Sequence, residues 1–307
     1  MSQSTDTVVM VSPDHFQFNS ETGETNTFQL RIQHENLVSE AKSNFSNLQC
    51  ALSDNGVRIL TMDSPDVCTP DAVFPNNWFS VHASGDRVLL ILYPMLNANR
   101  QAERQVDRLT ESLKTAGIVI NEIFDLTYFE KECKALEGTG SLIFDRPNEI
   151  IYASRSPRMH EEALQVLATK LDYSCVVFSS NVDGTLVYHT NVMMCVGTHF
   201  AIVCLECIED PADRTKVSES LRNNGKEVIN ISVDQLKHMC GNVLELKSHA
   251  ENGAVKIAMS DTAYNAFTNE QKEALSRYGQ IVHASIDTIE KVGGGSVRCM
   301  LAEIYHL

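Results

Sequence analysis

The sequence is short of positive charge and of long apolar runs. Its 25 lysine and arginine residues stand against 40 aspartate and glutamate residues, which gives a net charge of −15 at pH 7. Because an acidic surface repels phosphate backbones and anionic headgroups, we expect neither a nucleic-acid partner nor a membrane partner. No apolar run approaches the length that spans a bilayer. The polar N-terminus, residues 1–7, lacks the charged and apolar regions of a signal peptide.

The motifs of common cofactor sites are absent as well. No predicted strand is followed by GxGxxG or GxxxxGK[ST], so we expect no nucleotide cofactor. Nine cysteines without a signal peptide indicate reduced thiols, and hence a cytoplasmic protein. Cys204 and Cys207 have CxxC spacing, but no second pair accompanies them. They lie in an apolar run that we predict to be a strand, so we expect them to pack in the core and bind no metal.

Strands and helices alternate along the whole chain. With 307 residues, 43% of them hydrophobic, the chain can bury a large core. No low-complexity linker divides it, so we predict one domain over residues 1–307. Interleaved elements are typical of an α/β fold, for which a doubly wound sheet is one architecture. We predict strands at 8–11, 57–60, 88–92, 118–120, 142–144, 149–153, 175–178, 200–208, 228–231, 255–259 and 281–284, and helices at 30–51, 101–116, 160–172, 211–223, 233–240 and 268–278.

A run of three glycines, residues 293–295, precedes Cys299 near the C-terminus. Glycines permit close approach of the backbone, and the adjacent Arg298 would favour the thiolate form of the cysteine. This arrangement would present a nucleophile. The alternative is a turn followed by a C-terminal strand in which Cys299 is a small core residue.

A nucleophilic cysteine needs a base, and the base needs an acid to orient it. His189 ends a short apolar run, where a strand-end side chain would reach a cleft. Glu137 is followed by Gly138, and its carboxylate could be held ionised by backbone N–H groups. Each residue alone also has a plain structural alternative, a core or solvated histidine and a surface turn.

In combination these motifs resemble a known family. Glu-Gly-x-Gly (137–140), His-x-Asn (189–191) and Gly-Gly-Gly-x-x-Arg-Cys-Met (293–300) follow the order of the guanidino-group-modifying, or pentein, superfamily. That group holds arginine deiminases, dimethylarginine hydrolases, succinylarginine dihydrolases and amidinotransferases. The segment Pro-Asp-Ala-Val-Phe-Pro-Asn-Asn-Trp (70–78) is similar to its substrate loop. The whole chain most resembles the citrulline-utilisation hydrolase branch, which is often labelled amidinotransferase.

The resemblance implies a fold and a set of roles. The fold would be an α/β-propeller of five ββαβ-type units with pseudo-fivefold symmetry around a central active site. Cys299 would be the nucleophile, His189 the general acid and base, and Glu137 the residue that orients His189 or holds the substrate nitrogens. Arg155 would bind the substrate α-carboxylate, which a guanidinium fork suits. The partner would be a small-molecule amino-acid substrate, and no cofactor is required. The resemblance leaves the oligomeric state undecided, and a homodimer is one option.

The sequence departs from the family at the positions that hold the substrate. Asn191 stands where deiminases have an aspartate, and Asn76 and Asn77 stand where dimethylarginine hydrolases have a Glu-Asp pair. His82 stands where a deiminase-like alignment would place another aspartate. Neutral amides can pair with a neutral ureido group, whereas a guanidinium prefers carboxylates. We therefore expect a cysteine-dependent hydrolase that acts on the C–N bond of a ureido or guanidino amino acid, citrulline above all.

Two alternatives come from other functional classes. An amidinotransferase would use an amine in place of water, so glycine or ornithine would accelerate product formation. A catalytically silent binding protein of the same fold would tolerate the changes from aspartate to asparagine, although Cys299, His189 and Glu137 are all retained.

The catalytic interpretation of Cys299 predicts the result of a single substitution. Cys299→Ser should abolish turnover and leave the fold intact, because a hydroxyl is a far weaker nucleophile than a thiolate. Turnover assays together with circular dichroism would check this. Near-normal activity in the variant would contradict the assignment.

Overall fold

A computed structural model describes residues 2–85 and 87–306 of the chain. The strands are β1 (Thr7–Val11), β2 (Arg58–Met62), β3 (Phe79–Ser84), β4 (Arg87–Leu92), β5 (Glu122–Asp125), β6 (Ile143–Asp145), β7 (Ile150–Ser154), β8 (Ser174–Phe178), β9 (Asn181–Val182), β10 (Thr185–Leu186), β11 (Met194–Val196), β12 (Phe200–Val203), β13 (Glu227–Asn230), β14 (Leu244–Lys247), β15 (Val255–Ser260), β16 (Gln280–Ala284) and β17 (Ala302–Glu303).

The α-helices alternate with these strands along the chain. They are α1 (Leu37–Asp54), α2 (Ala98–Gln101), α3 (Val106–Thr115), α4 (Gly138–Ser141), α5 (Glu161–Leu171), α6 (Thr190–Met193), α7 (Pro211–Asn223), α8 (Val233–Lys237), α9 (Asp261–Ala266), α10 (Asn269–Ser276), α11 (Asp287–Gly293) and α12 (Val297–Met300). Two short 3-10 helices cover Pro75–Asn77 and Thr127–Glu132. Among the helices that the structure describes, none combines the length and the hydropathy that crossing a membrane would need.

Apart from the small β9–β10 hairpin, the strands described form three-stranded sheets of one topology. Their orders are β17-β1-β2, β3-β4-β5, β6-β7-β8, β11-β12-β13 and β14-β15-β16. In every sheet the first pair is antiparallel and the second pair is parallel. The parallel pairs are connected through helices, as parallel pairing requires. The fold is therefore a mixed α/β fold built from a repeated unit.

The first strand of each sheet is packed among the others. β6 contacts β11, β11 contacts β14, and β3 contacts β17, while four hydrophobic clusters fill the space between sheets and helices. β1 closes the repeat by pairing with β17, so that the two ends of the chain share one sheet. All five residues of β1 are buried, as expected for a strand covered on both faces.

The structure confirms most of the predicted elements. The antiparallel β6–β7 pair, α5, α7 and β15 lie where the sequence places them. The capping box at Thr268 and Gln271 is present, with both reciprocal hydrogen bonds.

Four predicted elements are corrected. The helix predicted from residue 30 begins at Leu37, and the helix predicted at 101–116 is split into α2 and α3. The strand predicted at 118–120 is absent, because the Ile118 N–H donates to the Leu113 carbonyl at the end of α3. The strand begins only at Glu122. The strand predicted at 200–208 ends at Val203, and Cys204 and Cys207 lie in a buried turn where the Cys207 thiol donates to the Cys204 carbonyl.

The strands that the sequence did not predict include β3, β11 and β14, each the first strand of its sheet. β3 contains the buried polar residues Ser80 and His82, and β14 contains the buried Glu245. Their polar side chains are paired inside the protein, so the apolar pattern of an ordinary core strand is missing. Buried polar residues thus hide β3 and β14 from a search for apolar patterns.

Candidate active site

Each first strand is preceded by a short turn, and the candidate residues lie on these turns. Asn76 and Asn77 are in the 3-10 turn before β3, Glu137 is the N-cap of α4, and His189 is the N-cap of α6. Cys299 lies inside α12, before β17. The turns contact one another: α4 touches α6 and the 3-10 turn, which also touches α12. The repeat of the fold therefore gathers residues more than two hundred positions apart in the sequence.

His189 and Glu137 form a buried hydrogen-bonded pair. The imidazole Nε2 lies 2.8 Å from Glu137 Oε2, and both side chains are almost fully buried. Glu137 Oε2 also accepts from Arg158 Nη1 at 3.2 Å, while Oε1 accepts from the Leu96 backbone N–H at 3.0 Å. Burial alone would raise the pKa of Glu137, but the Arg158 charge and the His189 hydrogen bond outweigh it and hold the pKa well below its usual range.

The pairing fixes the protonation state of the histidine. Burial lowers the pKa of His189, and the hydrogen bond to Glu137 raises it. Burial is the larger effect, so the pKa of His189 falls to about 4. The imidazole is therefore neutral at pH 7. Because the ionised Glu137 can only accept, the proton sits on Nε2 and Nδ1 is the basic nitrogen.

The Cys299 thiol is buried and is contacted by two amides. Asn191 Nδ2 and Asn242 Nδ2 each lie 3.3 Å from Sγ. The expectation that Arg298 favours the thiolate of Cys299 is corrected, because the Arg298 guanidinium has other partners. It donates to Glu303 at 2.7 Å and to the Leu301 carbonyl at 3.1 Å. Neighbouring side chains on the short helix α12 point in different directions, so Arg298 is directed into a separate polar cluster.

The two asparagines of the substrate loop have different partners. Asn77 Oδ1 accepts from both terminal nitrogens of Arg100 at 3.1 Å, and its Nδ2 is buried without a partner in the described chain. Asn76 Nδ2 donates to Thr139 at 3.2 Å, and its Oδ1 has no partner among the described residues. Only Asn77 of the two is among the described residues that line the cavity next to Cys299.

The cavity beside Cys299 is narrow. One wall belongs to the loop after β1, whose Thr22 and Asn26 cover the site. The described residues that line it are Thr22, Asn26, Asp71, Phe74, Asn77, Arg100, Arg158, Tyr188, His189, Gly293, Gly295 and Cys299. Among the residues described, no group of three or more histidine, cysteine, aspartate and glutamate side chains could hold a metal ion.

Two of the predicted site residues lie elsewhere, which corrects their expected roles. Arg155 is 46% exposed and pairs with Glu161 at 2.7 Å on the surface, because it follows β7 on the side of α5. His82 is buried between Ser80 and Arg146, at 2.8 Å from each, and is not among the residues that line the cavity.

The sequence prediction missed Asp71, Arg100, Arg158 and Asn242. Asp71 was inside the quoted substrate-loop motif, but its role was not assigned. Arg158 lies three positions after Arg155, the arginine expected to bind the substrate α-carboxylate. Asn242 precedes β14, the one unit for which no candidate was named, so counting the repeats could have pointed to it.

The fold and the clustered site residues define a pentein, a member of the guanidino-modifying superfamily of hydrolases and amidinotransferases. A family model described as N,N dimethylarginine dimethylhydrolase, eukaryotic, matches residues 12–306, and the chain belongs to this family. It is accordingly an enzyme of the C–N hydrolase class. No curated protein sequence matches the chain.

Solved structures share the fold at low sequence identity. The N-terminal domain of ArgZ, an arginine dihydrolase from Cyanobacteria, superposes with a TM-score of 0.74 at 16% identity, over 98% of both chains. Unliganded AgrE gives 0.74 at 18% identity, over 98% of this chain and 39% of AgrE. A dimethylarginine dimethylaminohydrolase adduct gives 0.63 at 14% identity, over 97% of this chain and 99% of that one.

Gly140 has to be glycine if the histidine is to keep its place. A Cβ at residue 140 would lie 2.3 Å from Asn77 Nδ2 and 2.8 Å from His189 Nδ1. We predict that Gly140→Ala lowers kcat by about 100-fold or more, since displacement of the base by about 1 Å is that costly. Steady-state kinetics would measure it.

A matched control is Gly225→Ala. Gly225 has φ +77 and nothing within 4 Å of its would-be Cβ, so this variant should lose stability and keep kcat. Unchanged kcat in Gly140→Ala would mean that His189 does not depend on this close packing.

The lowered pKa of His189 predicts a pH-dependent stability. Its pKa is 6.5 in the unfolded chain and about 4 in the native state, so between these values only the unfolded state takes up the proton. Stability due to this group is therefore present above pH 6.5 and is lost as the pH falls towards 4. We expect wild type to lose about 2 kcal/mol more than His189→Gln between pH 7 and pH 4.5. Urea unfolding at both pH values would test this, and equal losses would contradict it.

Proposed function

We propose that the protein hydrolyses a neutral ureido amino acid, most readily citrulline, to ornithine, ammonia and carbon dioxide. The observation that carries the proposal is the surrounding of Cys299: amides of Asn191 and Asn242 contact its Sγ. Among the described residues that line the cavity, Asp71 is the one acidic residue. It interacts electrostatically with Arg100 and Arg158.

The arginine end of the cavity suits an α-amino acid. Asp71 Oδ2 accepts from Asn19 and Thr22, whereas its Oδ1 is buried without a partner in the described chain. Arg158 Nη1 and Nη2 are occupied, and its Nε is likewise buried and unpaired within the described residues. An α-ammonium group would donate to Asp71 and an α-carboxylate would accept from Arg158, so both unpaired atoms would gain partners.

The cysteine end suits a ureido group. Arg100 occupies Oδ1 of Asn77, and Nδ2 of Asn77 has no partner in the described chain. This Nδ2 could therefore donate a hydrogen bond to the carbonyl oxygen of a urea. The Oδ1 atoms of Asn191 and Asn242 are buried acceptors without partners in the described chain, and they suit the N–H groups of a urea. A guanidinium has no acceptor to offer Asn77, and its charge would face amides instead of carboxylates.

The first half of the reaction would form a covalent intermediate. Sγ of Cys299 attacks the ureido carbon, a C–S bond forms, and the C=O electron pair moves to oxygen. When the carbonyl re-forms, the C–N bond to the leaving nitrogen breaks. His189, which has taken the proton from the thiol, delivers it to that nitrogen.

The second half would restore the enzyme. A water molecule attacks the carbonyl carbon and passes a proton to His189, and the C–S bond breaks to return the thiolate. If ammonia leaves first, the product is a carbamate that loses carbon dioxide to give ornithine. Glu137, hydrogen-bonded to Nε2, would stabilise the imidazolium each time it forms.

The proposal extends to the organisation of the chain. We infer five ββαβ units around a pseudo-fivefold axis, supported by the five sheets of one topology among the described residues and by the contacts between their first strands. One catalytic domain over residues 1–307 would contain them all. The nine cysteines are free, which supports a reducing, cytoplasmic location.

A guanidino amino acid is the second candidate substrate. The family model names dimethylarginine, and structural neighbours include an arginine dihydrolase. In that case the charged group would be held by neutral amides, and Glu137 would be the nearest carboxylate with a hydrogen bond to the base.

The substrate assignment is tested with a panel of citrulline, arginine, dimethylarginine, agmatine and succinylarginine. We expect the highest kcat/KM with citrulline, no acceleration by added glycine or ornithine, and a trapped adduct on Cys299 by mass spectrometry. Asn191→Asp should shift the ratio of kcat/KM values from citrulline towards arginine by about tenfold or more, because a carboxylate favours the cation.

Asn47→Asp is the matched control, since it adds the same charge on the exposed face of α1. It should leave the ratio unchanged. Faster hydrolysis of arginine or dimethylarginine by wild type would overturn the citrulline assignment.

A further inference from the structure

Asn242 holds the cysteine sulfur from the one repeat unit to which the sequence assigned no role. Its Nδ2 lies 3.3 Å from Cys299 Sγ and 3.0 Å from the backbone carbonyl of Asn191. The side chain is fully buried, in the turn between α8 and β14.

The amide orientation of Asn242 is fixed independently of the sulfur. The Asn191 carbonyl can only accept a hydrogen bond, so the atom beside it must be the NH2 group of Asn242. That group has two hydrogens, one for the carbonyl and one for Sγ. The sulfur is therefore the acceptor in this contact, and a thiolate accepts such a hydrogen bond more strongly than a thiol does.

The backbone around Asn242 is built for this close approach. A Cβ at Gly241 would lie 2.3 Å from the Val192 carbonyl oxygen and 2.7 Å from the Met193 carbonyl carbon. Only glycine lets this turn pack so tightly against α6, the helix that carries Asn191. Asn242 N donates to the Met239 carbonyl at 2.9 Å and closes the turn.

Other sources of thiolate stabilisation are directed elsewhere. Arg298 is turned towards Glu303, and the Nε2 proton of His189 is given to Glu137. The hydrogen bonds to Sγ in the described chain are those from the two asparagine amides. Charge-assisted hydrogen bonds of this kind are about twice as strong as neutral ones.

We propose that Asn242 is a further catalytic residue, which stabilises the Cys299 thiolate through Nδ2 and presents Oδ1 to the reacting group. Its Oδ1 is buried without a partner among the described residues, so it can accept an N–H from a nitrogen bonded to the ureido carbon that Cys299 attacks. The second role rests on the proposed hydrolase function, whereas the first does not depend on any substrate.

The test is the pH profile of Cys299 alkylation by iodoacetamide, quantified on the Cys299 peptide by mass spectrometry. In Asn242→Ala the Cys299 thiolate loses one donor, so alkylation of Cys299 should slow about tenfold at neutral pH, and kcat for citrulline should fall about 10- to 100-fold. Asn242→Asp should slow alkylation further, because it replaces the donor by a negative charge.

The exposed thiols Cys50, Cys68 and Cys133 are internal references for reagent and pH. Asn47→Ala is the matched surface control and should behave as wild type. Asn242→Ser, which keeps a polar group in the turn, provides the same reading if the alanine variant does not fold.

Each outcome is decisive. Slower alkylation of Cys299 with a lowered kcat supports the proposal, and an unchanged alkylation profile overturns it, whether or not kcat falls. If wild type does not hydrolyse citrulline, the proposed substrate fails while the alkylation profile still decides the role of Asn242.

Discussion

The buried carboxylate of Glu137 is the interaction on which the rest of the site depends. It accepts from His189 and from Arg158, and a backbone N–H from residue 96 completes its shell. Because this carboxylate is ionised, it fixes the tautomer of the base and neutralises an arginine in the same cavity. Removing it would leave Arg158 as an uncompensated buried charge, which is more costly than the loss of one hydrogen bond. Glu137 thus links His189 and Arg158, which both line the cavity.

The repeated unit explains how a small cavity obtains so many polar groups. Each sheet supplies one turn at the start of its first strand, and each turn brings one or two functional side chains. Glycines at 138, 140 and 241 allow these turns to approach more closely than Cβ atoms would permit. The loop after β1 then covers the cavity, with Thr22 and Thr25 bound to Arg158 and Asn19 bound to Asp71. Asp71, Asn77 and Arg158, which line this cavity, each keep a buried polar atom without a partner among the described residues.

The side chains that donate to the sulfur of Cys299 among the described residues are neutral amides. Asn77 is locked by Arg100 so that it donates into the cavity, and Asn242 is locked by the Asn191 carbonyl so that it donates to sulfur. In both cases a partner that can only donate or only accept decides which end of the amide faces the reaction. The turns set the positions of these side chains, so an amide could be exchanged for a carboxylate on the same backbone. Substrate choice can therefore change without any change of fold.

The sequence by itself determined the α/β class and most helices, and it predicted that Cys299, His189 and Glu137 belong together, because glycine runs, apolar periodicity and ordered motifs are local signals. It named Asn77 and Asn191 as site residues for the same reason. Tertiary structure decided what local signals cannot carry. Arg158 lines the cavity and Arg155 does not, since a difference of three positions only matters once the chain turns into α5. His82 and Arg298 enter other polar clusters, and Asn242 reaches the sulfur from a distant unit, because side-chain direction is set by packing between repeats.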